Sequence, residues 1–86
     1  MNNGKFTIKD NQLVFIGSGE VIPEDEPVFI LRACDRQASS ILRVYQSKMR
    51  PTDPCWKGIQ AVIEEFTRFR KNNPDKMKQP DEAYAG

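Results

Sequence analysis

The chain has 86 residues, thirteen basic and twelve acidic side chains, two cysteines and no histidine. That length holds one domain, and folding at this size removes only about 60–65% of the unfolded chain's surface from water. Without histidine, imidazole-dependent triads, dyads and zinc sites are excluded, and two cysteines cannot complete a four-thiolate centre. No cofactor and no metal are expected.

The net charge of +1 sets up no global field toward nucleic acid or an acidic membrane. Its distribution is uneven. Residues 1–26 carry two lysines against five acids, a net −3, and residues 27–86 carry eleven bases against seven acids, a net +4. No apolar stretch approaches the roughly 20 residues that span a bilayer. Met1-Asn2-Asn3-Gly4-Lys5 lacks the apolar centre of a signal peptide. The expectation is a soluble, cytoplasmic protein with reduced thiols and no membrane partner.

Phe6-Thr7-Ile8, flanked by Lys5 and Lys9, reads as a half-buried strand. Asp10-Asn11-Gln12 carries turn chemistry. Leu13-Val14-Phe15-Ile16 follows as a second strand, so residues 5–16 predict a hairpin. Gly17-Ser18-Gly19 ends it, and Pro23-Glu24-Asp25-Glu26-Pro27 reads as an acidic surface connection. Val28-Phe29-Ile30-Leu31 admits two readings. Its continuous short apolar run favours a third strand, whereas Pro27 behind three acids would also suit a helix start.

From about Arg36 the pattern is helical, with Ala38, Ile41, Leu42, Tyr45 and Met49 at three- and four-residue spacing. Pro51 closes that helix near Met49 or Arg50. Asp53 is a good N-cap and Pro54 a good first residue for a second helix. Its apolar face runs through Trp56, Ile59, Val62, Ile63, Phe66 and Phe69, and Asn72-Asn73-Pro74 ends it. The expected fold is α+β: a short antiparallel sheet, the hairpin plus the third strand, packed on a helical hairpin. Residues 1–74 form the single domain, and the charged, proline-bearing segment 75–86 is expected to be a flexible polar tail.

Most candidate chemistry reduces to ordinary structure. Cys34 and Cys55 fall near the starts of antiparallel helices about 21 Å long, too far apart for a bridge that needs Cα atoms within ~7 Å. They read as two separate thiols, and without a histidine neither makes a catalytic pair. Glu64 sits four residues before Arg68 as a helix-surface ion pair. Glu24-Asp25-Glu26 lacks the spaced ligands and glycine of a calcium loop. Gly17-Ser18-Gly19 lacks the lysine and spacing of a phosphate-binding loop. No enzyme is expected.

One stripe stands out. Arg36, Ser40, Arg43, Ser47 and Arg50 recur at spacings of four, three, four and three, on one face of the first helix. Guanidinium forks interleaved with hydroxyls suit phosphate oxygens, although a solvated helix face uses arginine too. Tyr45 or Trp56 would stack a base. Arg68, Arg70, Lys71, Lys76 and Lys78 form a second basic cluster. A three-stranded sheet would also show two apolar faces. Phe6, Ile8, Leu13, Phe15, Phe29 and Leu31 would line one, and Val14, Ile16, Val28 and Ile30 the other. Two helices cover one face, so a homo-oligomer through the other is expected.

Glu26-Pro27-Val28-Phe29-Ile30-Leu31-Arg32-Ala33-Cys34-Asp35 resembles small accessory proteins of tailed bacteriophages. So does Asn73-Pro74-Asp75-Lys76-Met77-Lys78-Gln79-Pro80-Asp81. The resemblance implies a non-enzymatic protein acting in the host bacterial cytoplasm, countering host defence by occupying a host protein or sequestering a nucleotide signal. The leading expectation is capture of a phosphate-bearing ligand such as a signalling nucleotide. The alternative is a protein–protein inhibitor or adaptor, and a weak nucleic-acid binder is the least favoured.

Overall fold

In the computed structural model, which describes residues 6–85, a two-residue turn sets the first element. Asp10 and Asn11 both take positive φ, 53° and 62°, the mirror-image turn whose twist matches that of paired strands. Strands β1 (Phe6–Lys9) and β2 (Gln12–Phe15) therefore pair antiparallel, Phe6 opposite Phe15 and Lys9 opposite Gln12. The Phe6 and Phe15 rings lie 4.5 Å apart, centroid to centroid, an edge-tilted geometry that aromatic pairs favour. The predicted hairpin is present.

The sheet then departs from expectation. Gly19, at φ 72°, turns the chain back so that residues 20–22 run along β2. The Phe15 N–H donates to the Glu20 carbonyl and the Ile22 N–H to the Leu13 carbonyl, each at 2.9 Å. That short return occupies the edge a third strand would have used. Residues 28–31 carry no ladder and no helix, so the expected third strand is absent among the described residues and the sheet has two strands. Nor does the sheet pack on the helices. No Cα of β1 or β2 comes within 8 Å of one in a helix.

Helix α1 spans Ala38–Ser47 and α2 spans Pro54–Asn72. Asp53 caps α2 by accepting the Cys55 N–H at 2.9 Å, with Pro54 first in the helix. Asn73 ends it, its backbone and side-chain N–H groups both donating to the Phe69 carbonyl. The two helices are antiparallel. Gln46, buried near the end of α1, donates its amide to the Trp56 carbonyl and to Oε1 of Gln60, near the start of α2. Ile63 at 1% exposure and Ala38 at 0% mark the tightest packing.

The segment expected to be a loose tail is seated instead. A 3-10 turn at Pro74–Lys76 leads to a parallel bridge in which Lys78 donates to the Cys34 carbonyl and Arg36 donates to that of Lys78. Helix α3, Pro80–Ala83, follows. Met77 and Ala83 are buried there, with Cys34 and Ala38 buried in the stretch they bridge. Three apolar side chains, Met77, Ala83 and Tyr84, are enough to anchor a polar segment once backbone bonds tie it down.

The radius of gyration is 14.1 Å, against about 12 Å for a compact chain of this length. Among the described residues no helix is long and apolar enough to cross a membrane.

Candidate functional site

Of the arginine stripe, α1 itself carries Ser40, Arg43 and Ser47. Because α1 begins at Ala38 and ends at Ser47, Arg36 and Arg50 occupy the turns on either side, separated by a helix about 15 Å long. Ser40 donates its hydroxyl to the Gln37 carbonyl at 2.9 Å, and Ser47 donates to that of Val44 at 2.6 Å. Both hydroxyl protons are spent on the local backbone, a habit of serine in helices. Arg43 lies exposed mid-helix, and Arg50 is exposed beyond its end.

Tyr45 lines a shallow groove on α1 with Ser40, Ile41, Val44 and Lys48. Trp56 is half-buried in the first turn of α2, where its carbonyl holds Gln46. Of the seven expected residues, Ser40 and Tyr45 line the α1 groove, Arg36 lines another, and Arg43, Ser47, Arg50 and Trp56 line neither.

What the fold does assemble is a different cationic groove. Antiparallel packing brings the turn before α1 beside the last turn of α2, so Arg36 meets Arg70 and Lys71 across 34 positions of sequence. Thr67, Pro74 and Met77 complete the wall around about 480 Å³. The Arg36 guanidinium reaches the Met77 carbonyl at 3.5 Å. Thr67 donates its hydroxyl to the Ile63 carbonyl at 2.8 Å. No carboxylate lines this groove. Neither Arg70 nor Lys71 forms an ion pair among the described residues.

Three cations on one concave wall repel one another unless an anion lies between them. The last-turn position of Arg70 and Lys71 offsets part of that cost, since the helix C-terminus is the negative end of its dipole. Arginine supplies a flat two-pronged donor and lysine a point charge, a combination suited to the several oxygens of a phosphate. Pro74 and Met77 add an apolar wall against which a flat or aliphatic moiety can rest.

The groove is held from behind by a clasp. Asp35, 4% exposed, accepts the Gln37 N–H at 2.8 Å on one oxygen and the Tyr84 hydroxyl at 2.9 Å on the other. Tyr84 in turn accepts the Arg32 N–H at 3.0 Å. The Arg32 guanidinium donates to the Ala83 carbonyl, and the Phe29 and Tyr84 rings lie 5.3 Å apart. Burial raises the Tyr84 phenol above its ordinary pKa, with the Asp35 carboxylate adding to the rise and the Arg32 N–H opposing it. This clasp fixes Arg36, one residue beyond Asp35, against Met77 and Lys78.

Sequence spacing grouped Arg70 and Lys71 with the second basic cluster and Arg36 with the first. The antiparallel hairpin is the signal that joins them: it sets the start of one helix beside the end of the other. Comparison with protein-family models, curated proteins and solved structures returns no match.

Proposed function

We propose that this protein is a non-enzymatic binding protein that captures a phosphate-bearing ligand in the groove of Arg36, Arg70 and Lys71. The observation that carries the reading is the convergence of three cations, from two segments remote in sequence, on a wall without a carboxylate. The same lining holds no carboxylate, thiol or imidazole, which favours binding over turnover. In this reading the resemblance of 26–35 and 73–81 to phage accessory proteins fits sequestration of a signalling nucleotide in a bacterial host.

Calorimetric titration with inorganic phosphate, pyrophosphate and nucleoside mono-, di- and triphosphates tests it. Saturable heat is expected for at least one of these probes, weakened about tenfold or more by Arg70→Glu with Lys71→Glu. Arg43→Glu with Arg50→Glu should leave it within about twofold. Absence of heat for every probe, or equal loss in both double variants, overturns the reading. A single-stranded oligonucleotide serves as the nucleic-acid arm, where backbone binding would show a steep loss with salt.

A further inference from the structure

The C-terminal segment builds part of the cationic groove and is lightly held. Pro74 and Met77 of this segment line the groove. Arg36 is fixed on the segment twice. Its backbone N–H donates to the Lys78 carbonyl at 2.9 Å, and its guanidinium reaches the Met77 carbonyl at 3.5 Å. Lys78 in turn donates to the Cys34 carbonyl at 2.7 Å. Beyond that bridge lies α3, four residues long and too short to hold itself helical. Met77 and Ala83 are the segment's buried apolar side chains, and the Tyr84 hydroxyl on Asp35 fastens its end. So few apolar contacts mark a segment that opens before the rest of the fold.

We infer that residues 77–84 form a strap whose seating is coupled to anion capture in the groove of Arg36, Arg70 and Lys71, with Tyr84 as its latch. This inference rests on the phosphate reading of that groove and adds its regulation. Tyr84 is a positioning residue in it, acting through Asp35, the chain neighbour of Arg36.

The coupling has a definite sign. A ligand moves a conformational equilibrium only by binding one state better than the other. Seated, the strap holds Arg36 on one wall with Arg70 and Lys71 and adds Met77 to that wall. Released, it frees Arg36 from both carbonyls and takes Met77 away. Gathering three cations opposes seating by repulsion, and an anion between them replaces that repulsion with attraction. Anion capture therefore stabilises the seated strap. By linkage, the seated strap tightens anion binding by the same factor.

Amide hydrogen exchange on the full chain reads the coupling, with and without pyrophosphate, or the nucleotide in its place where that alone gives heat. The Lys78 N–H, bonded to Cys34, should exchange faster than that of Ile63 inside α2, because the strap opens alone. The phosphate probe at ten times its dissociation constant should slow the Lys78 amide about tenfold. The Phe15 amide, in a hairpin that does not reach the helices, should not respond. Tyr84→Phe should speed the Lys78 amide about tenfold. The probe should still slow it, because all three cations remain, whereas Arg70→Glu with Lys71→Glu should abolish the slowing. Saturable heat with an unchanged Lys78 rate overturns the strap and leaves the groove reading standing. A Lys78 amide no faster than Ile63, or unmoved by Tyr84→Phe, overturns the strap as well. No heat from any phosphate probe overturns the groove reading and the strap together.

Discussion

The Tyr84 hydroxyl donates to Oδ2 of Asp35 at 2.9 Å, joining residues 49 positions apart and tying the C-terminal segment to the start of α1. That same hydroxyl accepts the Arg32 N–H, so one phenol satisfies two partners at once. Tyr84→Phe keeps the ring and removes both bonds. It should lower unfolding free energy by about 1–3 kcal/mol, because a buried carboxylate loses one of its two donors. Urea denaturation measures this; a change below about 0.5 kcal/mol would show that the clasp does not bear on stability.

The same phenol sets a pH dependence. Burial raises its pKa in the folded chain above the ordinary value of 10.0, so the fold favours the neutral form. Stability from this group is fully present below pH 10 and declines as pH rises through the folded value. The difference between wild type and Tyr84→Phe isolates it from the lysines. That difference should shrink steadily above pH 10; a constant difference would contradict the assignment.

The two free thiols report on the clasp independently. Cys55 is exposed and Cys34 is 7% exposed behind the Lys78 bridge. With a chromogenic disulfide, one thiol should react at once and the second only as the C-terminal segment opens. Tyr84→Phe should speed the slow phase and leave the fast one alone. Equal rates for both thiols in the wild type would mean that the segment does not shield Cys34.

Asn11 at φ 62° suits a residue without a Cβ penalty. Asn11→Gly should strengthen the hairpin by a few tenths of a kcal/mol, and Asn11→Val should weaken it by ~1 kcal/mol or more. Cross-strand proton contacts between Thr7 and Val14 read the effect. Because β1 and β2 do not reach the helices, the thermal transition of α1 and α2 should move by no more than a degree or two. A large coupled shift would contradict that separation.

Local chemistry was legible in the sequence wherever it decides structure by itself. Asp10-Asn11 marks the turn, Asp53-Pro54 marks the start of α2, and Asn73-Pro74 its end. Val28-Phe29-Ile30-Leu31 misleads because strand propensity is realised only against a partner strand, and residues 20–22 take the edge of β2 first. The C-terminal segment misleads in the other direction. Its composition is polar, but Met77, Ala83 and Tyr84 are placed where backbone bonds can seat them. The groove was half legible: both basic clusters are visible in the sequence, and the geometry that joins Arg36 to Arg70 and Lys71 is tertiary.

The central claim is that these three cations share one anion. Titrating pyrophosphate into isotopically labelled protein and following backbone and arginine side-chain N–H resonances tests it most directly. The account predicts that Arg36, Arg70, Lys71 and Met77 shift together with a single saturation curve, while Arg43, Ser47 and Arg50 stay still. Shifts centred on Arg43 and Arg50, or small unsaturating shifts spread over every lysine and arginine, would contradict it.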